Sequence, residues 1–140
     1  MTTPDPYVMS AFYRVSVKAL IFNDQQQLLV FKNTDNEWEL PGGGWEHGET
    51  LENCLRRELM EELRLEIGAI GPVLAVYPNL HKRGYYKVCI ALPVSAAVTN
   101  LKTYDKDLLS AKFVTKEQFL RLQFGLDEAG VLNYVDQIWP

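Results

Sequence analysis

The chain has 140 residues, 47% of them hydrophobic and 23% charged, with a formal net charge of -4. This is the size and balance of one folded domain with its own core. The acidic excess argues against a broad electrostatic grip on a nucleic-acid polymer, and no run of about 20 apolar residues is present to cross a bilayer. Residues 1–12, "MTTPDPYVMSAF", lack a basic segment followed by an apolar one and do not read as a secretion signal. They are expected to form a flexible N-terminal arm before a domain spanning 13–140, in a cytoplasmic protein. From Tyr13 to Ile21, Tyr13, Val15, Val17, Ala19 and Ile21 alternate with Arg14, Ser16 and Lys18, the period of a half-buried strand. The polar "NDQQQ" from Asn23 then turns the chain into "LLVFK" from Leu28, which predicts a β-hairpin. "TDNE" is a further turn and "WEL" a short strand, followed by a glycine-rich loop and a helix from about Thr50 to Leu65. "VLAVY" and "YYKVCIALPV" are two more strands, with "PNLHKRG" between them as a loop. "AVTNLKTYDKDLLS" is a polar connection and "AKFV" a short strand. Thr115 should cap a helix through Leu122, and Asp127–Trp139 should form a closing helix. Strands around one central helix, with helices at the end, predict a mixed α/β domain. Only two cysteines occur, Cys54 and Cys89, and both are expected to be reduced and buried.

The stretch "GGGWEHGETLENCLRRELMEEL", Gly42 to Leu63, breaks the ordinary pattern. On a helical wheel, Leu51, Cys54, Leu55, Leu59, Leu63 and Leu65 form one broad apolar side. Glu58 and Glu62 fall inside that arc, and Glu61 lies at its edge. An unpaired buried carboxylate costs several kcal/mol, so these acids need a compensating partner. Glu58 and Glu62 are four residues apart and can reach one divalent ion or an adjacent pair. Oxygen-only ligands suit Mg²⁺, with Mn²⁺ as its substitute. The alternative is a solvated acidic face with salt links to Arg57 and Arg64. The glycines before the helix allow close approach of the backbone, and the helix start favours negative charge. Glycines, a helix start and hard-metal acids together suggest a phosphate ligand.

The same stretch resembles the Nudix box. Gly43 is followed after five residues by Glu49, and after seven more by Arg57-Glu58, Leu59, Met60, Glu61-Glu62, Leu63, Arg64 and Leu65. Arg64 is the one departure, standing where the family usually has glycine. The resemblance implies an α/β/α sandwich with a mixed sheet and a central metal-binding helix. It also implies a Mg²⁺-dependent hydrolase of a nucleoside diphosphate linked to another moiety, acting by water attack on phosphorus. Glu58, Glu61 and Glu62 would then hold the metal, with the Gly43 carbonyl as a further ligand. Glu49 and Arg57 would orient those ligands, and Glu58 or Glu62 would act as general base. A later acid often contributes in this family. Asp107, six residues before Phe113, is the candidate, and Asp105 is its alternative.

Outside the box, "HKRGYYK" holds Lys82, Arg83 and Tyr85 as candidates for phosphate contact and base stacking, against the plainer reading of an exposed hairpin tip. Trp45 is a candidate to cover the substrate. The downstream signatures of ADP-ribose, diadenosine polyphosphate and NADH hydrolases are not cleanly met. By elimination, nucleoside triphosphates or related small nucleotides are the expected substrates. An ADP-ribose or nucleotide-sugar hydrolase and a nucleotide-binding module without catalysis are the alternatives. A small-molecule nucleotide is the expected partner, and a homodimer stays open.

Overall fold

The computed structural model describes residues 13–126 and 128–140. The expected N-terminal arm and the first residue of the expected closing helix lie outside the described residues. The elements are β1 (Tyr13–Leu20), β2 (Leu28–Asn33), β3 (Trp38–Glu39), β4 (Gly42–Gly44), α1 (Leu51–Leu63), β5 (Ala75–Leu80), β6 (Tyr86–Pro93), β7 (Leu108–Val114), α2 (Lys116–Leu120), a 3₁₀ turn (Ala129–Tyr134) and α3 (Val135–Ile138). One sheet runs β4-β1-β6-β5 and the other β3-β2-β7. The β1–β6 pair is parallel and the other pairs are antiparallel, so the architecture is mixed α/β. One core cluster gathers Leu55, Leu59 and Leu63 of α1 with Val17, Ala19, Phe31 and Leu92. A second gathers Leu20, Val30, Tyr77 and Cys89 with Phe119, Val131 and Ile138 from the C-terminal segment. The strands therefore lie between α1 and the closing helices, as an α/β/α sandwich.

The expected hairpin is corrected. The chain does turn at Asn23, whose side-chain oxygen accepts from the Gln25 and Gln27 amides, and Phe22 bridges Leu28. Beyond that bridge the two strands separate into different sheets, and β1 pairs with β4 and β6 instead. The half-buried reading of β1 changes for the same reason. Ser16 and Lys18 are 6% and 3% exposed, because β1 is an interior strand covered on both faces. β5 continues through Pro78 to Leu80, which the sequence assigns to a loop. Pro78 is tolerated there because β5 is an edge strand. β7 likewise begins at Leu108, inside the expected polar connection. The closing segment is a 3₁₀ turn followed by one short α-turn, not a continuous helix. α2 has its Thr115 cap, with the Thr115 amide donating back to Gln118 Oε1, but ends at Leu120. Both cysteines are free and buried.

α1 starts where its sequence dictates. The Thr50 hydroxyl accepts from the Asn53 amide at 3.1 Å, and Glu52 complements the helix dipole in the first turn. It stops two residues before the expected Leu65. Arg64 adopts left-handed backbone angles (φ 53°, ψ 36°), its amide donates to Met60 O and the Leu65 amide donates to Leu59 O. This is a Schellman-type end in the conformation that glycine adopts most cheaply. The glycine usual at this box position thus has a backbone reason, and Arg64 takes the same geometry at a cost of about 1 kcal/mol.

Candidate functional site

Three successive glycines form β4, and each backbone group meets a different part of the site. The Gly42 amide donates to Glu62 Oε1 at 2.8 Å. A Cβ on Gly43 would stand 2.6 Å from the Glu58 carboxylate, so only glycine allows that acid to lie against the strand. The Gly44 carbonyl accepts from Arg57 Nη2 at 3.0 Å. β4 is held in register by β1, with Lys18 opposite Gly42 and Val17 opposite Gly43.

The acids of α1 occupy graded environments. Glu62 is 4% exposed, Glu58 is largely buried and Glu61 projects to solvent. Burial pushes the Glu58 carboxyl above its usual value and the Glu62 carboxyl well above it, while Lys18 and the Gly42 amide oppose the shift of Glu62. Arg57 is the hub of the outer half. It forms a two-point pair with Glu49, donates to Glu58 at 2.9 Å and lies 3.5 Å from Glu61. The paired guanidinium pulls Glu49 down to about 2. Glu49 also accepts from the Glu46 amide, which ties the loop to the helix.

Glu58, Glu62 and Gly42 line a cleft of about 540 Å³ that also receives Glu39, Arg83, Asp105 and Asp107. Its charged lining is mostly acidic, with Lys82 and Arg83 as basic members. Among the described residues, no three His, Cys, Asp or Glu side chains converge as a ready-made metal centre. Glu58 and Glu61 are instead engaged by Arg57. The donor set still fits a hard divalent cation. It is made of oxygens, its innermost member is a desolvated carboxylate, and Gly43 leaves its side-chain space to an acid.

The candidates outside the box divide. Asp107 and Asp105 both reach the cleft, and Asp105 Oδ1 accepts from the Asp107 amide at 2.8 Å. Lys82 lines the same cleft, but Asp35 and Glu37 hold its ammonium at 2.7 and 2.8 Å and raise its pKa. Arg83 lines the cleft with no acidic partner for its guanidinium among the described residues. Tyr85 stacks on His81, with ring centroids 4.1 Å apart, and is not among the cleft's lining residues. Trp45 belongs to a separate groove with Tyr13, Arg14 and His47, and its indole N–H donates to the Glu49 carbonyl. Sequence reasoning missed Glu39 and Lys18. Glu39 lies on the cleft wall beside Asn33 and is shifted upward by burial. Nothing local marks it, since it comes from a two-residue strand, while Lys18 sits at a position the alternation assigns to solvent.

The NUDIX domain family profile matches residues 12–135. The chain is 46% identical over 138 residues to the nucleoside triphosphatase NudI of Enterobacter sp. (strain 638), across 89% of this chain and 96% of that protein. It is 42% identical over 68 residues to an RNA pyrophosphohydrolase of Ruthia magnifica subsp. Calyptogena magnifica, a match spanning 48% of this chain and 37% of that protein. A MutT NUDIX hydrolase from Burkholderia pseudomallei shares the fold with a TM-score of 0.74 at 22% identity, over 90% of this chain and 98% of that one. No helix among the described residues is long and apolar enough to cross a membrane. The profile over most of the chain and the relative at 46% identity show the family: the chain belongs to the NUDIX domain family, a family of divalent-metal hydrolases.

Proposed function

We propose that the chain hydrolyses nucleoside triphosphates, cutting a phosphoanhydride bond by water attack on phosphorus. The observation that carries this reading is the buried Glu62 beside Glu58 and a glycine strand that has surrendered its side-chain space to acid. The match to a nucleoside triphosphatase over 96% of that protein supports the substrate class. Glu58, Glu61 and Glu62, with the Gly43 carbonyl, would hold Mg²⁺, for which Mn²⁺ can substitute. The ion would neutralise phosphate oxygens and lower the pKa of the attacking water. Glu49 fixes Arg57, and Arg57 in turn orients Glu58 and Glu61, so this pair sets the ligand geometry. Glu58 or Glu62 takes the proton from the water. Asp107 is the later acid of the cleft, and Arg83, ahead of the already paired Lys82, meets the phosphates. Residues 13–140 form the catalytic domain, in the cytoplasm, with a small nucleotide and not a nucleic-acid polymer as partner.

A Mg²⁺-dependent hydrolysis screen over nucleoside triphosphates, nucleotide sugars and dinucleotides, run in ¹⁸O water, tests this. Turnover of triphosphates with the label in one phosphate product is the expected result. Preference for ADP-ribose or nucleotide sugars would overturn the substrate assignment. Tight nucleotide binding without cleavage of any compound would overturn catalysis itself.

A further inference from the structure

The face of β1 turned away from α1 carries an ionic cluster with no counterpart in an ordinary core. Lys18 Nζ lies 3.0 Å from Glu128 Oε1, and Lys87 Nζ lies 2.7 Å from the same oxygen. Lys18, Lys87 and Glu128 are 3%, 7% and 3% exposed. Burial alone would lower the Lys18 ammonium, yet the carboxylates of Glu128 and Glu39 more than reverse this, and the group stands well above its usual value. Removing such charges from water costs several kcal/mol per ion, so replacement by well-packed apolar groups would serve stability as well. Stability alone therefore does not account for Lys18.

Its third contact suggests a role. Lys18 Nζ also donates to the Leu40 carbonyl at 3.3 Å. Leu40 and Pro41 form the corner between β3 and β4, and the Pro41 carbonyl accepts from the Ala19 amide at 2.8 Å. One residue further on, Gly42 stands opposite Lys18 in the ladder and donates its amide to Glu62. A continuous line of polar contacts thus runs from the C-terminal segment at Glu128, through Lys18, to the strand that presents Gly42 and Gly43 to the acids of α1.

We propose that Lys18, clamped by Glu128, is a positioning residue that fixes the β3–β4 corner and thereby sets the Gly42–Glu62 contact and the Gly43 carbonyl for metal binding. This rests on the metal-hydrolase reading above and adds residues outside the Nudix box to it. Lys18 touches neither metal nor nucleotide in this role. It acts through backbone, in the manner of the outer partners that hold ligands at other metal sites.

Lys18→Met is the direct test, because Glu128 keeps its Lys87 partner. Mn²⁺ binding to the nucleotide-free protein, followed by electron paramagnetic resonance, is expected to weaken about tenfold. Hydrogen exchange at the Gly42 amide is expected to accelerate by a similar factor, and kcat to fall about tenfold while KM for the nucleotide stays within about twofold. Glu128→Gln should move all three quantities in the same direction by less, and it carries the test should Lys18→Met not fold. Unchanged Mn²⁺ affinity and unchanged Gly42 exchange in the folded variants would overturn the proposal. So would a KM that shifts selectively with the nucleobase, since Lys18 would then be a ligand contact. Wild-type protein that binds Mn²⁺ but cleaves nothing would defeat the catalytic reading alone, leaving the positioning test intact.

Discussion

The two ends of the charged system around β4 obey different rules. On the outer side, Arg57 serves Glu49, Glu58 and Glu61 together, with Glu46 3.9 Å away. These groups are partly solvated, so losing one partner leaves others and water. On the inner side, two lysines share one oxygen of Glu128, and the second oxygen, Oε2, is buried without a hydrogen-bond partner among the described residues. The first region is built to exchange partners: under the proposed function, a cation at Glu58 and Glu61 would displace the guanidinium. The second region has no such freedom, and its value lies in fixity. Charge at a phosphate-cutting site thus does two jobs that burial separates.

The largest effect should come from breaking the inner region. Glu128→Leu removes the buried carboxylate that Lys18 and Lys87 share and should cost about 3–5 kcal/mol in urea unfolding at neutral pH. Its pH dependence sharpens the point. Glu128 has its folded pKa lowered, because Lys18 and Lys87 outweigh the opposing effect of burial. Its contribution is therefore full above the ordinary 4.5 and is lost as the pH falls through the lower folded value. The gap between wild type and Glu128→Leu should accordingly narrow on acidification below 4.5. A constant gap from neutral pH to pH ~3 would show that the pair contributes no charge-dependent stability.

Next in size is Glu62→Gln, at the boundary between the regions. Turnover should fall at least about a hundredfold, since the proposed inner metal ligand is lost. The melting temperature should hold or rise, because the amide still accepts from Gly42 and a desolvated charge is gone. A variant that loses both fold and turnover would put Glu62 among structural rather than functional charges. Smallest is Arg64→Gly. Relief of left-handed backbone should stabilise the chain by about 1 kcal/mol. Loss of the guanidinium over Tyr104, 5.6 Å from the ring centroid, offsets part of this, about 0.5 kcal/mol at an exposed site. Thermal unfolding that shows a net destabilisation would mean the Arg64–Tyr104 contact outweighs the strain.

The legibility of the molecule follows the range of its interactions. The helix and its displaced acids were readable because a helical wheel is a local object, and Glu62 is buried as its position in the apolar arc required. Thr50 and Thr115 were readable as caps for the same reason. The β1–β2 hairpin was misread because a polar turn specifies reversal of the chain, not the sheet each arm will join. Ser16 and Lys18 alternate like solvent-facing residues, and only the arrival of Glu128 from 110 positions later gives Lys18 an interior partner. Asp107 is singled out by the family spacing, and the fold brings it to the cleft. Glu39 has no such signal, since it becomes part of the cleft only when β3 pairs with β2.

Cys54 sits under this architecture, buried on α1 with its Sγ 3.6 Å from the Gly44 carbonyl. Burial and the neighbouring Glu49 push its thiol up to about 11. Alkylating reagents therefore meet neither an accessible sulfur nor a thiolate while the loop lies on the helix. The sulfur becomes modifiable during excursions that expose it, so its rate of labelling is a built-in clock for the parting of α1 and its neighbours.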